Sequence, residues 1–129
     1  MSQAATILIA DDDPLLQALL HHKLSAAGYE IVAVGDGAAV LECIRKVKPD
    51  IVVLDAMMPV MDGFETLRRI KTDPELAATP VVMLTAMRRD ADIVEALRLG
   101  AADYLPKPFS PDELVLRLRR LIPPTRASA

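Results

Sequence analysis

Polar residues capable of phosphate chemistry stand where short aliphatic runs end. Asp11, Asp12 and Asp13 follow Ile7-Leu8-Ile9-Ala10, and Asp55 follows Ile51-Val52-Val53-Leu54. Thr85 follows Val81-Val82-Met83-Leu84, and Lys107 lies just past Tyr104-Leu105. Gathered carboxylates repel unless protons or a cation compensate. Ligation by oxygen alone, with no His or Cys beside it, suits a hard divalent ion, Mg²⁺ first and Mn²⁺ second. Lys107 adds a fixed positive charge and Thr85 a hydroxyl donor. Cation, ammonium and hydroxyl together suit a phosphoryl group, whose charge spreads over its equatorial oxygens. Asp55 stands alone at its strand end, and a carboxylate nucleophile forms an acyl phosphate. The residues point to Mg²⁺-dependent phosphorylation of Asp55. Asp13, before Pro14, reads as a helix cap and no more.

These residues work together only if the fold brings the strand ends to one place. Aliphatic runs at 7–10, 31–34, 51–54 and 81–84, with a weaker one at 104–105, read as buried strands. Between them, apolar residues at helical spacing predict helices over 14–27, 38–47, 64–72, 91–99 and 111–122. Asp13-Pro14 opens the first helix and Gly28 closes it, while Ser110-Pro111-Asp112-Glu113 repeats the opening device for the last. Gly100 ends the fourth helix. Arg117, Arg119 and Arg120 suit the negative end of the last helix dipole. Strict strand–helix alternation, with helix-length crossovers, implies a parallel sheet covered on both faces. The prediction is a five-stranded doubly wound α/β domain of strand order 2-1-3-4-5, flavodoxin-like, with five helices. In that order the first and third strands are neighbours, so Asp11, Asp12 and Asp55 converge at the carboxyl end of the sheet.

Composition narrows the alternatives. The 129 residues make one domain, expected over 1–124 with a polar tail at 125–129. At 52% hydrophobic and a mean hydropathy of +0.27, the chain can fill a core, which excludes disorder. Only 3% is aromatic, so stacking on nucleic-acid bases is not expected. The formal net charge of -3 provides no phosphate-backbone-binding surface, and no direct nucleic-acid binding is expected. The single Cys43 cannot form an internal disulfide and reads as a small core residue. No signal peptide or membrane-length apolar run is visible, so the expected location is the cytoplasm, with no membrane contact. His21 and His22, adjacent on one helix, cannot both ligate one ion from one face and read as solvated.

From Ile7 to Ile122 the chain resembles the receiver domains of two-component response regulators. The likeness is carried by Ile7-Leu8-Ile9-Ala10-Asp11-Asp12-Asp13, by Pro49 through Asp55, and by Met58-Pro59 with Met61-Asp62-Gly63. It continues through Val82-Met83-Leu84-Thr85-Ala86, Gly100-Ala101-Ala102-Asp103-Tyr104 and Lys107-Pro108-Phe109. The resemblance implies that Asp55 is the phosphoacceptor, Asp12 a direct Mg²⁺ ligand and Asp11 an acidic neighbour acting largely through water. It makes the Met57 main-chain carbonyl a further ligand and Lys107 the lysine that contacts Asp55 and then the phosphoryl group, with a cis bond to Pro108. Thr85 resembles the switch threonine, Tyr104 the aromatic switch residue, and Ala86 the small residue that leaves the site accessible. The implied donor is a histidine kinase or histidine phosphotransfer protein docking beside the first helix. The implied output is a downstream protein or a fused domain, since the sequence stops at Ala129. Catalysis of anything beyond the domain's own phosphorylation and dephosphorylation is not expected.

Several departures refine the expectation. Arg117 fits the charged signature through which many receivers of DNA-binding regulators dimerise, but Ile93 and Ala102 stand where an Arg and an Asp belong. That speaks against this dimer mode. Met57 and Met87, each two residues past a site residue, flank the position of hydrolytic water in this family and would orient it poorly. A haloacid-dehalogenase-type phosphotransferase needs a second acid where Met57 stands, and a flavodoxin-like nucleotide binder needs a phosphate loop where three aspartates stand. A phosphorylation-independent interaction domain, a pseudo-receiver, has no reason to keep Asp55, Lys107 and Thr85 together. On the first helix, Leu15, Leu16, Leu19, Leu20 and Leu24 cover about half the circumference. They fit a wholly buried face and a partly exposed docking edge equally well.

Overall fold

The structure is a computed structural model that describes residues 3–86 and 89–126. Five strands form one parallel sheet: β1 (Thr6–Ala10), β2 (Glu30–Val34), β3 (Ile51–Asp55), β4 (Val81–Thr85) and β5 (Asp103–Pro106). β1 lies between β2 and β3, with Ile7 opposite both Ile31 and Ile51. β4 continues from β3, and β5 forms the far edge. The order is therefore 2-1-3-4-5, as the alternation predicts. The direction of winding reverses between β1 and β3, whose carboxyl ends lead into Asp11 and Asp55.

Side chains alternate across the sheet because successive Cβ atoms point to opposite faces. Ile7, Ile9, Ile51, Val53, Val82 and Leu84 pack on Leu20 and Leu24 of α1 (Pro14–Ala26) and on Leu114 and Leu118 of α5 (Pro111–Leu121). Leu8, Val52, Leu54 and Met83 pack on the opposite layer. Its helices are α2 (Gly37–Val47), α3 (Gly63–Thr72) and α4 (Asp90–Arg98), which supply Val40, Ile44, Leu67, Ile70 and Ala96. Each fully buried aliphatic side chain contributes about 1.5–3 kcal/mol. The central strands β1, β3 and β4 are buried throughout, which holds their polar ends in fixed positions.

The helix starts follow the local chemistry. Asp13 caps α1, its carboxylate accepting from the N–H groups of Leu15 and Leu16 at 3.0 and 3.3 Å. Gly28 follows that helix at φ +103°, where a side chain would be strained. Ser110 occupies the cap position of α5 but its side chain makes no cap hydrogen bond, so Pro111 and the acidic first turn replace the expected hydroxyl cap. Cys43 is half-buried against one core layer and not enclosed in it.

The segment read as a polar tail begins with a paired stretch. Thr125–Arg126 runs antiparallel to Gln3–Ala4, and the N–H of Ala5 donates to the Pro124 carbonyl at 2.9 Å. Tyr29 adds a hydroxyl bond to the Ile122 carbonyl at 2.7 Å. Residues 127–129 lie outside the described residues.

Candidate functional site

At the carboxyl end of the sheet, Lys107 joins the first and third strands. Its Nζ donates to Asp11 Oδ2 at 2.8 Å and to Asp55 Oδ2 at 3.2 Å. The other oxygen of each carboxylate is also occupied, Asp11 Oδ1 by the N–H of Asp13 at 2.9 Å and Asp55 Oδ1 by the N–H of Met57 at 3.1 Å. Asp11 is fully buried and Asp55 nearly so, while Asp12 faces solvent. One oxygen from each of Asp11, Asp12 and Asp55 lies within 4.8 Å of the others. Three hard oxygen donors, two of them removed from water, fit a small divalent cation better than a bulky or soft one.

Burial is the largest influence on Asp55 and raises its pKa above the usual carboxylate value; the Asp11 charge adds to the rise, while the Met57 N–H and Lys107 oppose it. For Lys107, burial alone would lower the pKa, but the hydrogen bond to Asp11 and the charges of Asp55 and Asp11 outweigh it, holding the ammonium above the lysine range. The site is thus a buried acidic pocket in which one lysine offsets only part of the negative charge.

Neighbouring backbone makes this arrangement possible. Asp62 caps α3, accepting from the Glu65 N–H at 2.9 Å, and the N–H of Gly63 donates to the Ala56 carbonyl at 2.9 Å. Gly63 lies so close to β3 that a Cβ there would stand 2.3 Å from the Asp55 carbonyl oxygen and 2.6 Å from Ala56 Cα. Both atoms are backbone and cannot swing aside. Gly63→Ala is expected to cost about 1–3 kcal/mol, the usual range for overpacking. It should also displace the Asp55 end of β3; urea unfolding and the amide NMR shifts of Asp55 and Ala56 measure the two effects. The peptide between Lys107 and Pro108 is cis.

Thr85, fully buried, shares a side-chain hydrogen bond with the hydroxyl of Tyr104, which is itself buried. Burial first, then the Asp92 charge, raises the Tyr104 pKa against the effect of that bond. On the same side, Arg117 Nη1 grips both Asp103 oxygens at 2.9 and 3.0 Å, and its Nη2 reaches Glu113 at 3.1 Å. Its charge is committed within the chain. Ala86 is exposed beside the pocket, and Met57 is 61% exposed at its mouth. Met87 lies outside the described residues.

Residues 7–119 match the sequence profile of the response regulator receiver domain. The chain belongs to that family. DNA-binding response regulator MtrA of Mycolicibacterium smegmatis is 42% identical over 113 residues, 88% of this chain and 48% of that protein. Probable transcriptional regulatory protein TcrX of Mycobacterium tuberculosis is 39% identical over 93% of this chain and 50% of its own length. The receiver thus spans about half the length of these curated relatives. Among solved structures, the Vibrio cholerae chemotaxis protein CheY4 superposes with a TM-score of 0.86 at 32% identity, over 93% of this chain and all of that one. The BeF₃-activated receiver domain of Klebsiella pneumoniae RstA gives 0.83 at 32% identity, over 90% and 97%.

The receiver therefore serves two-component signalling, and its acidic pocket lies on the residues singled out in the sequence. Asp11, Asp12, Asp55 and Lys107 come together at one end of the sheet, and Thr85 meets Tyr104 beside them. Sequence reading missed Gln17 of α1, whose amide reaches the main chain of Asp11 and Val34. Side-chain bonds to backbone far along the chain leave no periodic signal. On α1, Leu20 and Leu24 are buried while Leu15 and Leu19 are 79% and 43% exposed, so that helix presents a partly exposed apolar edge. His21 and His22 are exposed. Among the described residues no helix is long and apolar enough to cross a membrane.

Proposed function

We propose that this receiver accepts a phosphoryl group on Asp55 from the phosphohistidine of a histidine kinase or histidine phosphotransfer protein. The observation that carries the reading is Lys107 bridging two buried carboxylates, one of them at the end of a strand beside an open acidic pocket. A phosphorylation-independent domain would gain nothing from burying Asp55 beside Asp11.

Asp11, Asp12, Asp55 and the Met57 carbonyl would hold Mg²⁺ (Mn²⁺ as a substitute), which supplies positive charge to the phosphoryl oxygens when bound. An Asp55 oxygen forms the new O–P bond as the P–N bond of the donor breaks, the electron pair returning to the imidazole. Lys107 exchanges its contact with Asp55 for one with the phosphoryl oxygens, and Thr85 turns its hydroxyl toward them. Tyr104, already buried against Thr85, is held in that inward position when Thr85 engages the phosphoryl group, which favours the matching surface on α4, β5 and α5. Leu19, with Leu16 and Phe109 in one groove beside Lys107, and the exposed Leu15 one turn away on α1 give the donor an apolar edge next to the site. The domain promotes only its own phosphorylation and dephosphorylation, in the cytoplasm with its donor, and hands the signal to a downstream protein or to an output domain joined to it.

Transfer from a ³²P-labelled phosphotransfer domain tests this reading. Label should move to the wild type and not to Asp55→Asn; transfer to the variant would refute it. The exposed, apolar Met57 also predicts a persistent acyl phosphate, because it cannot orient water for attack. Met57→Asn should shorten the phosphoryl lifetime, followed by loss of label, and a clear lengthening would rule out that role for Met57.

A further inference from the structure

Gln17 lies early in α1, half-buried, yet its amide serves no residue of its own helix. Nε2 donates to the main-chain carbonyl of Asp11 and to that of Val34, the latter at 2.8 Å. Val34 ends β2, and its carbonyl also accepts the N–H of Asp11 at 3.2 Å. One glutamine thus ties α1 to the ends of two adjacent strands at the point where the acidic turn begins.

The Asp11 carbonyl belongs to the peptide unit that joins Asp11 to Asp12. The Asp11 side chain is already fixed by the Asp13 N–H and by Lys107. Asp12 is exposed at the open side of the cluster. The place from which its carboxylate reaches the pocket therefore depends on the Asp11–Asp12 peptide, and the Gln17 amide anchors that peptide.

We infer that Gln17 is a positioning residue for the cation site, holding the Asp11–Asp12 peptide so that Asp12 faces Asp11 and Asp55. The inference rests on the proposed Mg²⁺ site. Groups that orient metal ligands from behind change affinity by about 10–100-fold when removed. Gln17 acts through backbone on a ligand at the pocket's open side, so the low end applies.

Titration of the ¹⁵N-labelled full chain with MgCl₂, followed by amide shifts, tests this directly. Wild type should bind, and Gln17→Met, of similar length but with no donor, should bind about tenfold more weakly. Gln17→Arg, which keeps N–H donors at that reach, should recover most of the loss; a purely packing role would not give this rescue. Gln17→Asn, shorter by one methylene and unable to reach both carbonyls, should behave like Gln17→Met and carries the test if that variant does not fold. Equal affinity in wild type, Gln17→Met and Gln17→Asn would overturn the inference while leaving the site intact. A wild type that does not respond to Mg²⁺ would overturn the site and the inference together.

Discussion

Replacing Lys107 with methionine is expected to lower the stability of the metal-free protein at pH 7 by about 3 kcal/mol. Removing one member of a buried ion group leaves uncompensated charge and costs about 3–5 kcal/mol. The Lys107 side chain is 24% exposed, which places the effect at the lower end. Asp11 and Asp55, almost without solvent, would then face each other unopposed. The sign with pH follows from the raised lysine pKa. Such a group stabilises fully below its unfolded value near 10.4, and that contribution is lost as pH rises through the higher folded value. At pH 7 the loss on mutation is therefore complete. It should shrink on acidification, as a carboxylate in the variant takes up a proton. Urea unfolding at pH 7 and pH 5 measures both effects, and a variant as stable as wild type at pH 7 would contradict the reading.

Asp55→Asn has the opposite expected sign. Burial and the nearby Asp11 raise the Asp55 pKa, so its ionised form burdens the fold. The burden is absent below the unfolded aspartate value of about 3.9 and grows as pH rises through the higher folded one. Without metal, the asparagine variant should melt above wild type at pH 8, with the gap closing toward pH 4. Mg²⁺ should then stabilise wild type and have far less effect on the variant, since it binds the folded site. A variant that melts below wild type at pH 8 without metal would show instead that ionised Asp55 supports the fold. The two substitutions together separate a residue that neutralises the pocket from one that the pocket holds at a cost.

Much of this architecture can be read in the sequence. The central strands are short aliphatic runs buried on both faces, while β2, read as buried, is only partly so because it lies at the edge of the sheet. Each strand is punctuated by a proline, a glycine or an aspartate, so β1 through β5 fall within a residue or two of their predicted places. Strand order then puts Asp11, Asp12 and Asp55 together without any further information. What stayed hidden were contacts between a side chain and remote backbone. Gln17 reaches Val34 across 17 positions, and the pairing of Thr125–Arg126 with Gln3–Ala4 joins the two chain ends. Neither has a periodicity to read. The closeness of Gly63 to the Asp55 carbonyl was equally invisible, because a glycine at a helix start has many explanations until its neighbour is known.

Phosphorylation of Asp55 in a Mg²⁺-dependent pocket is tested most directly by incubation with Mg²⁺ and phosphoramidate, followed by intact-mass measurement. The expected result is one phosphoryl adduct on the wild type, lost when Mg²⁺ is chelated and absent from Asp55→Asn. An unmodified wild type, or an adduct that persists in Asp55→Asn, would contradict it.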